Sequence, residues 1–334
     1  MLTLQKHPEN VQICILKDGK KKQPVWWHPT IKPELRNGVE DLNYFFGNQD
    51  FQDRFELNHE QCEDIKGSLT NNTVSEKHQS KHFQCKRFIS EVLNNEMDLM
   101  DSSATFEFQF PKGGDTYPWC HFVCGSSGSG KSRWILDQLK NNLDGPAKDR
   151  RHVIWFSTEL TIDRTIAPLR DNEKYKEWFT GVDISEKAIE DSQYQNPEEF
   201  FEKEIKMRID TAPEGTITVA DDAQDSHPVV AELMRRLMIR LQRVGRHKKQ
   251  GLIYSLHKLA SGQWSSQAYS SCQNIVVFPR SNKNKIRDFL EREIGMTRKE
   301  ARRAVKDFGQ SGRALIVRLH APQLLMSEKL IRLL

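Results

Sequence analysis

The stretch Gly125-Ser126-Ser127-Gly128-Ser129-Gly130-Lys131-Ser132 reads G-x-x-x-x-G-K-[ST] without a mismatch. Glycines at this spacing let the backbone curl until successive N–H groups face one point, and such a ring of donors suits phosphate oxygens. Lys131 is long enough to reach the β and γ phosphates of a nucleotide, and the Ser132 hydroxyl is a natural ligand for the accompanying Mg²⁺. Arg133 follows as a further contact. ATP with Mg²⁺ is the expected ligand. A mobile Gly/Ser turn would share this composition, but not the apolar run before it and the amphipathic run after it.

Matching chemistry lies at ITVADD, Ile217 to Asp222, where an apolar and β-branched run ends in two carboxylates. Asp221, at the end of the run, is the expected Mg²⁺ partner, and Asp222 is the expected orienter of the attacking water. Two adjacent carboxylates at one strand end repel each other unless a cation or solvent compensates them. Glu159, just past the run ending in WFST, is the alternative water-orienting acid. Asp222 to Ser226 can also be read as only a turn with a helix cap before Pro228, and Glu159 as a solvated loop acid.

These groups need elements to position them. WCHFVC (Trp119–Cys124), HVIWFS (His152–Ser157), TITVAD (Thr216–Asp221), GLIYSLH (Gly251–His257), NIVVFP (Asn274–Pro279) and ALIVRL (Ala314–Leu319) read as strands buried on both faces. Helices are expected from Lys131 to about Leu143 and from the Asp222 region to about Gly245. Strands alternating with helices predict an α/β fold, a mostly parallel central sheet flanked by helices. Cys120 and Cys124 then read as small buried residues of the first strand. Residues 1–115 form a smaller mixed region of unnamed fold, a candidate adaptor, and 116–334 the main domain. The polar segment Asn58–Lys81, containing SLTNNTVSEKHQSK, reads as a linker, and PKGGD (Pro111–Asp115) as a hinge.

Composition narrows the classes. The chain has 334 residues, 37% hydrophobic and 29% charged, with a net charge of +4. That mild excess makes any nucleic-acid footprint local. No apolar run is long enough to span a membrane, and the N-terminus lacks the long apolar core of a secretory signal. Six scattered cysteines suit free thiols in a reducing compartment. His59, Cys62, His78, His82 and Cys85 have a spacing loosely like a zinc site, or are scattered through a polar linker.

Motor-type ATPases insert a strand between the phosphate-loop strand and the acidic strand, and end that strand in a polar sensor of the γ-phosphate. GLIYSL ends at His257, the sensor candidate, with Ser255 second. Before it, LMRRLMIRLQRVGRHKKQ holds Arg235, Arg236, Arg240, Arg243, Arg246, Lys248 and Lys249 and no acid. Leu233, Leu237, Met238, Leu241 and Val244 give it an apolar stripe, so it reads as a helix with a basic face. Arg246 and Arg243, then Arg280, are candidates to reach a neighbouring subunit's γ-phosphate. FPRSNKNKIRDFLEREIGMTRKEARRAVKDFG adds further basic residues, with a capping-box spacing at Thr297 and Glu300. These suit solvation or phosphate contacts that ignore base sequence better than a helix-turn-helix.

GSSGSGKS, VADD, RVGRHKKQGLIYSLHKL and NIVVFPRSNKNKIRDFL, in that order, resemble the FtsK/HerA-like genome-packaging ATPases of double-stranded DNA viruses: giant viruses, virophages and polinton-like viruses. The resemblance covers about Trp119 to Leu334. Many relatives carry Gln, Asn or Thr where this chain has His257, and the Asp221-Asp222 pair fits the viral branch. The resemblance implies a P-loop ATPase that assembles as a homo-oligomeric ring. Such a ring threads double-stranded DNA into a preformed capsid, with capsid proteins as partners. It implies residence in the host cytoplasm, a viral factory, the nucleus or the virion. Two other classes fit a phosphate loop: a nucleoside or small-molecule kinase, and a non-hydrolysing NTP-dependent scaffold.

Overall fold

The computed structural model describes residues 2–4, 11–27, 39–71, 73–100, 102–108, 120–146, 150–259, 262, 264–265, 272–320 and 322–334. The expected hinge Pro111–Asp115 lies outside the described residues. The chain divides into two compact units, Met1–Ala104 with Ile331–Leu333, and Thr105–Leu330 with Leu334. The first unit includes three of the four residues of the last strand. No helix of the described residues is long and apolar enough to cross a membrane.

The first unit holds β1 (Leu2–Thr3), β2 (Val11–Asp18) and β3 (Lys21–Trp27), an antiparallel set in the order β1-β3-β2. Helices Val39–Phe46, Gln49–Arg54, His59–Thr70 and Gln79–Asn95 follow, then β4 (Glu96–Asp98). The expected linker at 58–81 is therefore largely helical. Asn58 caps His59–Thr70 in a capping box with Gln61, and Cys62, Ile65 and Leu69 bury one face at helical spacing. Polar residues on the other face disguised the period.

The second unit contains β5 (Thr105–Glu107), β6 (Cys120–Cys124), β7 (Val153–Ser157), β8 (Phe179–Asp183), β9 (Ile217–Asp221), β10 (Gly251–Leu256), β11 (Asn274–Val277), β12 (Leu315–Arg318) and β13 (Leu324–Met326); β14 (Leu330–Leu333) ends the chain. The sheet runs β13-β12-β11-β6-β10-β9-β7-β8. From β11 to β8 every pairing is parallel, whereas β12 pairs antiparallel with both β11 and β13. Sequence periodicity missed β8, β13 and β14, which are short or half-exposed.

Strands β6, β7, β9, β10 and β11 are buried at every position. Helices supply the cover. Pro228–Val244 begins with Pro at its first turn, is capped by the His227 side chain on Val229 N–H at 3.3 Å, and buries Val230, Met234, Leu237, Met238 and Leu241. The expected stripe is rotated slightly from this one: Leu233 is half-buried and Val244 is 45% exposed. Arg298–Ser311 carries the expected Thr297/Glu300 capping box. Phe122 is fully buried and its ring centroid lies 5.1 Å from that of Tyr254 on the adjoining strand. Removing it leaves a cavity beside Tyr254 on the face of the sheet, so Phe122→Ala should lower unfolding free energy by about 3–5 kcal/mol, read from the urea midpoint of the full chain. A shift under about 1 kcal/mol would contradict this packing.

Candidate functional site

Strand register decides what meets at the carboxyl edge of the sheet. β10 lies between β6 and β9, with Leu256 opposite Cys124 and Ser255 opposite Asp221. β7 flanks β9 with Ser157 opposite Asp221. Residues just past these ends therefore converge although they are distant in sequence.

The loop leaves β6 at Gly125, whose N–H donates to Leu256 O at 3.2 Å. A Cβ at Gly125 would strike the Ser129 hydroxyl and lie 2.8 Å from Phe278, so the chain passes too closely for any side chain. Gly128 and Gly130 take φ of +73° and +105°, a region costly for other residues. Gly130 begins the Lys131–Leu143 helix without a side-chain cap, which leaves the first N–H groups free to face an anion. Ser129 Oγ is buried without a hydrogen-bond partner among the described residues, an orphan that a phosphate oxygen would satisfy.

Lys131 is only 6% exposed. Its Nζ lies 3.1 Å from His257 Nδ1 and 3.7 Å from Asp222 Oδ2. His257 Nε2 lies 3.1 Å from the same Asp222 oxygen. An ammonium can only donate, so Nδ1 accepts; Nε2 then carries the ring proton and donates to Asp222. Asp222 itself has φ +49°, a left-handed conformation that turns the chain sharply out of β9. Its N–H donates to Ser255 Oγ at 3.3 Å.

Asp221 and Ser132 form the second half. Ser132 Oγ donates to Asp221 Oδ2 at 3.5 Å, and the Ser255 hydroxyl donates to Asp221 Oδ1. Asp221 is 4% exposed. Burial, and next the charge of Asp222, push its carboxyl up to about 7; the Ser255 hydrogen bond and Lys131 pull the other way, and Asp163 adds to the rise. A buried carboxylate facing a hydroxyl, with a high cost of ionisation, fits a hard divalent cation held through oxygen. Asp163 was not singled out in the sequence; its place in a polar loop gave no signal.

Other expected residues stand apart. Glu159 is exposed, and its N–H donates to Ser157 Oγ at 3.1 Å. Arg133 pairs with Asp137 on the outer face of its helix at 3.1 Å. Arg243 is exposed in the last turn of Pro228–Val244; Arg246 lies in the Gly245–Lys248 turn that follows, and its side chain is outside the described set. Arg280 is exposed and donates to Gly309 O at 3.0 Å. The basic helix is less open than its composition implies. Glu232, one residue before the acid-free stretch, takes Arg235 at 2.7 Å and Arg236 at 2.8 Å, which hold its carboxyl down to about 2.

Among the described residues, one group of His, Cys, Asp and Glu has converging ligand atoms: Asp222, Asp225 and His257, within 4.8 Å of one another. His59, Cys62, His78, His82 and Cys85 are not brought together in that way. Cys62 and Cys85 join the apolar core of the first unit with Ile65 and Ile89, and burial pushes Cys85 up to about 12, against thiolate formation. All six cysteines are free and buried.

The loop at the carboxyl edge and the strand inserted between β6 and β9 define the fold of a P-loop NTPase with a mostly parallel sheet. No protein-family model and no curated protein matches the chain. Among solved structures it is similar to the genome packaging NTPase B204 of Sulfolobus turreted icosahedral virus 2 in complex with sulfate, at 17% identity over 64% of this chain and 96% of that one, with a TM-score of 0.41. It is also similar to B204, the DNA-packaging ATPase of Sulfolobus turreted icosahedral virus, at 18% over 64% and 97%, TM-score 0.37. A third is the pCW3 conjugation coupling protein TcpA with ATPγS, at 11% over 96% and 77%, TM-score 0.37. The fold assignment rests on this chain's own strand order and loop.

The Asp221 shift has a pH consequence. Below its folded pKa of about 7 the carboxyl is protonated, whereas an unfolded chain ionises near 4. The folded state therefore binds more protons in that window, and in Mg²⁺-free buffer this group's contribution to stability should fall from about pH 4 to about pH 7 and then level. Asp221→Asn should flatten that part of the profile and raise the melting temperature at pH 8. An unchanged profile would contradict the assigned environment.

Proposed function

We propose that this chain is an ATP-hydrolysing motor that moves double-stranded viral DNA into a preformed capsid. The observation that carries this reading is the single hydrogen-bonded set of Lys131, His257 and Asp222 at the ends of three parallel strands, with β10 between the loop strand and the acidic strand. That inserted strand separates the arrangement from a simple kinase pocket, and it delivers His257 beside both partners.

In this reading the loop N–H groups and Lys131 hold the triphosphate. Ser132 and Asp221 would hold Mg²⁺, which when bound neutralises charge on the phosphate oxygens. Asp222 orients the attacking water, its aim set by the left-handed backbone and the His257 N–H. His257 links Lys131 to Asp222 and so senses what occupies the phosphate position. Glu159 is the reserve acid, and Arg243, Arg246 or Arg280 would serve a neighbouring subunit in a ring. Exposed Lys283, Lys285, Arg298, Arg302 and Lys306 supply positive charge for phosphate contacts that ignore base sequence.

The deciding measurement is ATPase rate with and without duplex DNA, beside particle mass in ATP. Stimulation by DNA that weakens steeply with salt, together with an oligomer, is the expected result. Lys131→Ala should abolish nucleotide binding. Asp222→Asn should keep binding and lower turnover on the order of 100-fold or more, because Asn tolerates the left-handed backbone and only the charge is lost. A monomer in ATP without DNA stimulation would overturn the motor. A phosphorylated acceptor would point to a kinase, and tight binding without turnover to a scaffold.

A further inference from the structure

Strand β12 runs antiparallel to β11, so its first residue meets the last of β11. Leu315 pairs with Val277, and Val277 pairs on its other side with Cys124. The residues just before β12 therefore arrive at the carboxyl edge, where β6 gives way to the phosphate loop. Arg313 lies there. A Cβ built on Gly130 would sit 3.2 Å from its Cδ, 3.3 Å from its Nη1 and 3.4 Å from its Cζ. The guanidinium thus lies across the backbone of the residue immediately before Lys131.

This placement is built rather than loose. Ser311 is buried, and its hydroxyl lies 2.6 Å from that of Ser327. Gly312 packs so closely that a Cβ would fall 3.1 Å from Glu328 N. Ala314 and Leu315 are buried on the other side. The chain is thus clamped before and after Arg313, while Arg313 itself is exposed. Among the described residues no hydrogen bond or ion pair engages it, in contrast to Arg133, which is tied to Asp137.

The electrostatics are unfavourable without an anion. Gly130 is the N-terminal end of the Lys131–Leu143 helix, where the helix dipole is positive, and Lys131 adds a full charge one residue on. A guanidinium beside both is repelled by each. A phosphate chain resolves the repulsion, and the planar fork of an arginine suits phosphate oxygens.

We propose that Arg313 contacts the phosphates of the bound nucleotide from within the same subunit, as a second fixed cation beside Lys131. The proposal rests on the reading of Gly125–Ser132 as a nucleotide loop. It assigns to the pocket's own chain an arginine separate from those expected to reach across a ring.

The test is equilibrium binding of a fluorescent ATP analogue to the full chain, for wild type and for Lys131→Ala, Arg313→Ala, Arg313→Lys and Arg313→Glu, with the melting temperature of each. Wild type should bind and Lys131→Ala should not. Arg313→Ala should weaken binding roughly tenfold or more, the usual scale for a hydrogen bond to a charged group. Arg313→Lys should recover part of the loss and Arg313→Glu should exceed it, with no fall in melting temperature, because the side chain is exposed and repelled by its surroundings. If wild type binds, Lys131→Ala fails and Arg313→Ala matches wild type, this proposal alone is wrong. If wild type does not bind, the nucleotide reading fails and takes the proposal with it. Unaltered affinity with altered DNA stimulation would likewise overturn it, assigning Arg313 to DNA or a neighbouring subunit.

Discussion

A nearly buried ammonium is the constraint around which this molecule is organised. Lys131 stands at the positive end of a helix, where a cation is disfavoured, and is shielded from most solvent. Two groups compensate it, the His257 ring nitrogen and the Asp222 carboxylate, and both reach it only because β10 lies between β6 and β9 in the observed register. The left-handed turn at Asp222 follows from the same demand: an ordinary continuation of β9 would carry that carboxylate elsewhere. The remaining site features (the orphaned Ser129 hydroxyl, the buried Asp221 carboxyl, the free helix N–H groups) describe a place adapted to a negatively charged ligand.

The two acids beside Lys131 differ in environment. Asp221 is buried, hydrogen-bonded to Ser255 and reluctant to ionise, whereas Asp222 is about one-fifth exposed and shared between two basic groups. Adjacent carboxylates thus stand in unlike surroundings, the inner one desolvated and the outer one within reach of Lys131 and His257. Ser255 is the hinge of this division, donating to Asp221 while accepting from the Asp222 N–H. As runner-up sensor in the sequence, it holds the acidic pair apart instead of facing Lys131.

Charge read along a chain overstates charge available in space. Arg235 and Arg236 are spent on Glu232, Lys249 lies 2.9 Å from Glu214, and Arg287 pairs with Asp288 and Glu291. Among the described residues, Lys283, Lys285, Arg298, Arg302, Lys306 and Arg313 remain exposed.

Much of this was legible in one dimension. The glycine spacing, the apolar runs ending in Cys124, Ser157, Asp221 and Leu256, and the capping box at Thr297 follow from local backbone chemistry. Local rules therefore placed the phosphate loop, the acidic pair, the parallel core strands and His257 after its strand. They did not place the helix at His59–Thr70, whose apolar face is thin, nor β8 and β13. Long-range register decided the rest: which strand lies between which, that His257 and Asp222 meet on one lysine, that Asp163 bears on Asp221, and that an antiparallel β12 returns Arg313 to Gly130. Sequence spacing carries no signal for contacts that exist only because a sheet stacks distant segments edge to edge.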